Sequence, residues 1–151
     1  MRVAVASDHG GFRLKAEIIS FLQAVDISCK DFGTDSEDSV DYPDYALAVA
    51  EAVAAGQFEL GIVCCGTGIG VSISANKVPG VRAALCHDTF SARMAREHNN
   101  ANVLTLGQRV VGVGLALDIV KNFLETGFDD GGRHSRRVTK MSGIEEKYCG
   151  K

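Results

Sequence analysis

The sequence predicts an α/β fold: one doubly wound, Rossmann-like sheet of five parallel strands, with helices on both faces and a C-terminal helical tail. Three observations carry this. Apolar runs of strand length alternate with helical patterns from one end of the chain to the other. Those runs are near-continuously apolar, as in strands covered on both faces. Finally, 151 residues that are 46% apolar, without repeat, low-complexity tract or linker, suit a single domain spanning 1–151 with a substantial core.

The elements follow in order. "VAVA" (3–6) is the first strand, and Leu14, Ile18, Phe21 and Leu22 then share one helical face. "ISCKDF" (27–32) is the second strand, followed by an acidic, turn-rich loop over 33–44. An alanine-rich helix comes next, with Gly56 placed to end it. "LGIVC" (60–64) is the third strand, and a helix begins near Gly70. "VRAALC" (81–86) is the fourth, followed by a helix through Ser91–His98. "NVLTL" (102–106) is the fifth, followed by a helix carrying Leu117, Val120, Phe123 and Leu124 that Gly127 stops. A polar helical tail occupies His134–Tyr148.

Composition excludes several classes of function. A formal charge of −3 argues against general affinity for nucleic acid. No segment is long enough to span a bilayer, and the short apolar run before Asp8 is no secretory signal, so a cytoplasmic location is expected. Cys29, Cys64, Cys65, Cys86 and Cys149 form no C-x-x-C pair and no zinc spacing, which points to reduced thiols and no metal site.

Ligands of such sheets bind beyond the carboxyl ends of the strands. Three of those ends are polar: Asp8-His9, Cys65-Gly66 and Cys86-His87-Asp88. The loop "CGTGIG" breaks the dinucleotide fingerprint, because Val71 stands where the third glycine belongs and the loop follows the third strand, although Asp88 lies at a suitable distance. A Walker loop fails because Lys77 is too far along and no Ser or Thr follows it. Two readings remain. The glycines permit a tight strand–helix turn, or they expose N–H groups that stabilise an anion and favour the thiolate of Cys65. Asp8 and His9 reach the same crevice, with a helix-capping role for Asp8 as the simpler alternative. His98 sits at a helix end, where an imidazolium is favoured and a capping role for His98 and Asn99 is a fair reading; His87 and Asp88 only cap. Arg133 and Arg137, four apart on one helical face, can clamp a phosphate, whereas Arg136 and Lys140 read as a solvated basic tail.

"SDHGGFRLK", "DYPDYA", "CGTGIGVSISANKVPGVRAAL", "REHNNANVL", "LGQRVVG" and "GGRHSRRV" together resemble the type B ribose-5-phosphate isomerases, in order along nearly the whole chain. A looser similarity extends to allose- and galactose-6-phosphate isomerases. The resemblance implies a metal-independent, cofactor-free aldose–ketose isomerase acting through an enediolate. It makes Cys65 the base and Gly66, Thr67, Gly68, Ile69 and Gly70 the anion hole. His98 becomes the acid–base group that opens the sugar ring. Asp8, His9, Asn99, Arg109, Arg133 and Arg137 become substrate contacts, the last two chiefly to phosphate. It further implies a homodimer or tetramer with sites shared between subunits. A branch that uses a glutamate at the start of the following helix is excluded here, because that position is Val71. Cys64 lies outside the motif and, pointing to the other side of the strand, is expected to pack.

Overall fold

The computed structural model describes residues 1–149; residues 150–151, the end of the expected single domain, and the thiol of Cys149 lie outside the described residues. Its strands are β1 (Arg2–Ser7), β2 (Ser28–Asp31), β3 (Leu60–Cys65), β4 (Ala83–Leu85) and β5 (Val103–Gly107). The helices are α1 (Phe12–Ala24), α2 (Tyr42–Ala54), α3 (Ile69–Ala75), α4 (Thr89–Asn99), α5 (Val113–Glu125) and α6 (Arg133–Cys149), with a 3₁₀ turn at His9–Gly11. All pairings are parallel, in the order β2-β1-β3-β5-β4. The predicted five-stranded sheet is therefore present, each strand within two residues of its expected bounds. None of the helices is long and apolar enough to cross a membrane, among the described residues.

Strand side chains alternate between two cores. Val3, Val5, Ile62, Cys64, Leu104 and Leu106 face α1, α4 and α5. Ala4, Ala6, Val63, Cys65 and Val103 face α2 and α3. Handedness explains which helix lies where. Right-handed crossovers put leftward and rightward connections on opposite faces. The β1-to-β2 and β4-to-β5 steps run one way along the sheet and carry α1 and α4; the β2-to-β3 and β3-to-β4 steps run the other way and carry α2 and α3.

Helix ends follow local chemistry. Pro43 stands in the first turn of α2, where its missing N–H costs nothing. Asp88 caps α4 by accepting the Ser91 N–H at 2.7 Å, the capping role expected of it. Asn100, in the left-handed region at φ 48°, ends α4 in place of the expected His98–Asn99 cap. Two asparagines sew the edge strand to the body. Asn76 accepts the Ala83 N–H at 2.8 Å and donates to the Ala83 carbonyl at 2.9 Å. Asn102 accepts the Arg82 N–H at 2.8 Å and donates to the Gly80 carbonyl at 2.9 Å.

Candidate active site

Three chain segments converge at the carboxyl ends of β1, β3 and β5. The approach is close because side chains are missing where backbones meet. A Cβ on Gly11 would lie 2.5 Å from the Cys64 carbonyl carbon, so the start of α1 rests directly on β3. The same contact carries Asp8 and His9 to the glycine loop: Gly10 sits against the Gly66 backbone, where a Cβ would fall 3.0 Å from Gly66 N. From the other side, the Gln108 N–H donates to the Cys65 carbonyl at 2.9 Å and the Arg109 N–H to the Gly66 carbonyl at 3.0 Å. That bond carries Arg109 over the loop, with its guanidinium about 3.5 Å from the position a Gly66 Cβ would take.

Cys65 ends β3 on the α2/α3 face and is 5% exposed. Its Sγ accepts the Gly68 N–H at 3.0 Å. Gly68 makes the turn possible: its φ is +77°, and a Cβ would meet the Leu85 side chain at 2.5 Å and the Leu106 carbonyl carbon at 2.9 Å. The loop then enters α3, with the Ile69 N–H donating to Thr67 Oγ1 at 3.3 Å. The N–H groups of Gly66, Thr67, Gly70 and Val71 have no acceptor among the described residues. They are unspent donors beside a thiol.

Asp8 is buried and accepts the Gly11 N–H at 3.0 Å, so the capping role is real, and the same residue borders Gly66 through Gly10. His9 is half-buried and accepts the Val40 N–H on Nδ1 at 3.2 Å. Tyr42, which sequence reasoning left without a role, lies over Gly70: a Cβ there would fall 2.7 Å from its ring. The third polar strand end, Cys86-His87-Asp88, follows the outermost strand, and Asp88 spends its carboxylate on Ser91.

His98, Asn99, Arg133 and Arg137 form a second cluster elsewhere. α4 runs antiparallel to the strands, so its C-terminal residues lie at the amino end of β5, while Cys65 pairs with Gly107 at the carboxyl end. Four residues of strand, about 13 Å, separate the two ends. In this second cluster the His98 ring stacks on His134 at 4.1 Å and 8° between planes. Arg133 Nε donates to His134 Nε2 at 3.2 Å, and Asp129 stands 3.9 Å away. Burial, then the neighbouring His98 and Arg133, hold the His134 imidazole below its usual range. His134 is a candidate site residue that sequence reasoning missed; only its place between Arg133 and Arg137 hinted at it. No cluster of three or more metal-ligating side chains occurs among the described residues.

The fold and the first cluster define a doubly wound α/β protein that carries a thiol at the mouth of an amide-lined turn. The chain belongs to the Ribose/Galactose Isomerase family, whose model matches residues 3–141, and it is an isomerase. It is 57% identical to a solved ribose-5-phosphate isomerase B from Clostridium thermocellum, over 98% of this chain and 99% of that one, with a TM-score of 0.96. Ribose-5-phosphate isomerase B of Escherichia coli is 46% identical over 97% of each chain. A D-erythrulose-4-phosphate isomerase of Pectobacterium atrosepticum is 43% identical over 97% of each chain.

Proposed function

We propose that this chain interconverts ribose 5-phosphate and ribulose 5-phosphate, with Cys65 as base and the Gly66–Gly70 backbone as anion hole. The observation that carries the reading is the Cys65 thiol receiving the Gly68 N–H at 3.0 Å at the base of the turn. In the open-chain aldose the thiolate takes the C2 proton. The C–H electron pair becomes the C1–C2 double bond, and the carbonyl pair moves onto O1. The unspent loop amides, Arg109 and the neighbouring Asp8 hold the resulting enediolate. The thiol gives its proton back at C1 while the O2 proton passes to O1, leaving the ketose and the free thiolate. Amides aimed at developing charge contribute about 3 kcal/mol each, and a positioned base a further factor of about 10²–10⁴. The reading assigns no step to a metal or cofactor.

His98 as ring-opening group, with Asn99, Arg133 and Arg137 as contacts to sugar and phosphate, requires a second copy of the chain. The two clusters lie at opposite ends of one sheet, so a complete site takes one from each subunit. The surface supports that reading. β4 is an edge strand, and Ile69 and Ile73 on α3, Phe90 on α4 and Met141 and Ile144 on α6 are exposed on the helices flanking it. We assign the chain to one domain acting as a homodimer or a larger even assembly.

A four-carbon sugar is the second reading, because the erythrulose-4-phosphate relative is nearly as similar as the Escherichia coli one, at 43% against 46%. Six-carbon aldose phosphates complete the comparison. The test is isomerisation of four-, five- and six-carbon aldose phosphates by wild type and Cys65→Ala with chelator present. The expected result is the highest kcat/KM on ribose 5-phosphate, indifferent to chelator. Cys65→Ala is expected to lower kcat at least about a hundredfold with the fold and ligand binding kept. A wild type that binds every sugar phosphate and turns over none is a sensor, and the reading is then wrong.

A further inference from the structure

We propose that the loop between β2 and α2 is a positioning segment that fixes His9 as its Nε2–H tautomer, so that the ring meets a sugar-phosphate oxygen as a donor. This rests on the reading of the β1/β3/β5 crevice as the substrate site.

The loop is anchored along its length. Lys15 on α1 is 2% exposed, and its Nζ donates to Asp31 Oδ1 at 2.8 Å, Asp31 Oδ2 at 2.7 Å and the Thr34 carbonyl at 2.6 Å. The isomerisation chemistry has no use for this buried ammonium; its work is to hold the loop's first turn. β1 holds the same turn from the side: the Ser7 N–H donates to the Gly33 carbonyl and the Thr34 N–H to the Ser7 carbonyl, each at 2.7 Å. Midway, Arg13 makes a forked pair with Glu37 at 2.7 and 3.1 Å. The segment so held delivers the Val40 N–H to His9 Nδ1 at 3.2 Å.

A main-chain N–H can only donate, so Nδ1 presents its lone pair and the proton of the neutral ring sits on Nε2. Nε2 has no partner among the described residues. It is a free donor on a ring whose next residue but one, Gly11, rests on β3. Sugar hydroxyls and phosphate oxygens accept, so this tautomer is the productive one. Val40, Lys15 and the loop act through His9 and are positioning residues.

The tautomer is directly readable. Nitrogen NMR of the full-length protein with ¹⁵N-labelled histidine, assigned by the signal lost in His9→Gln, is expected to show Nδ1 bare and Nε2 protonated. A protonated Nδ1 overturns the proposal. Val40→Pro removes the N–H; it is expected to mix the tautomers and lower kcat/KM about tenfold, whereas Val40→Ala keeps the wild-type tautomer. Glutamine places its amide nitrogen near Nε2 and asparagine near Nδ1. His9→Gln is therefore expected to retain at least about tenfold more kcat/KM than His9→Asn. The reverse order overturns the proposal even if Val40→Pro does not fold. The expected tautomer in a protein inert on all aldose phosphates overturns the substrate reading instead and leaves the loop's role standing.

Discussion

Cys64 and Cys65 adjoin in the chain, yet the pleat of β3 sends them into different cores with different chemistry. Burial, with Cys65 beside it, pushes the Cys64 thiol far above its ordinary range. Burial and the Asp88 carboxylate push Cys86 up to about 11. Only Cys65 among these three receives a main-chain N–H on sulphur. Brief exposure to iodoacetamide at neutral pH is therefore expected to alkylate Cys65 and spare Cys64 and Cys86, read by peptide mass spectrometry. Alkylation of Cys86 at the rate of Cys65 counts against this account. The divergence was legible in the sequence, because adjacent strand positions must point to opposite sides. Lys15 was not legible. A lysine on the first turn of an amphipathic helix reads as solvated, and only the packed structure brings Asp31 and Thr34 over it. Lys15→Met leaves the Thr34 carbonyl without its donor, while Asp31, at 39% side-chain exposure, regains water. A loss of about 2 kcal/mol in urea unfolding, with an unchanged slope, is expected.

Helices and strands were legible to within a few residues because each carries its own period, and the alternation of the two periods dictates a covered parallel sheet. The order of strands was not. β4 crosses to the sheet edge and β5 returns between it and β3, a choice set by packing and by the Asn76 and Asn102 clamps, whose partners lie across chain gaps that no periodicity encodes. The docking of α6 was equally hidden, since its contacts, the His98–His134 stack and the Gly80 N–H donated to Glu145 at 2.9 Å, join residues far apart in the chain. The stack has a pH dependence whose sign is fixed by the surroundings. Burial, His98, Arg133 and Arg137 oppose a proton on His134, and Asp129 alone favours one. A histidine held below its unfolded value near 6.5 stabilises the fold above that pH and loses the contribution as pH falls through the depressed value. Amide exchange in the first turns of α6 is thus expected to quicken between pH 7 and pH 5 in wild type. It should change far less in His134→Phe, which keeps a ring against His98 without a titrating nitrogen. Equal quickening in both proteins would sink the idea.

At the scale of the molecule the arrangement is two polar clusters at opposite ends of one sheet, which the proposed function makes half-sites. The sheet fixes this: a helix returning antiparallel from the carboxyl edge must end at the amino edge, so His98 and Cys65 of one chain stay apart however the loops move. An exposed apolar fringe round the β4 edge, with Phe90 at 63% exposure, is where copies of the chain would join. Phe90→Asp is expected to yield a folded, monomeric and inactive protein, as measured by light scattering and turnover. Complementation is the sharper test. On the proposed assignment, Cys65→Ala and His98→Ala each spoil every site of a homodimer, one by removing the base and the other by removing the ring-opening group. When the two variants are mixed and allowed to exchange subunits, half the dimers are mixed, and each of these has one site with both residues intact. The mixture should then recover about a quarter of wild-type activity on the ring-closed sugar, from parents that have almost none. If each chain housed a complete site of its own, exchange would recover nothing, and the assignment of His98, Asn99, Arg133 and Arg137 to the neighbour's substrate would fall with it.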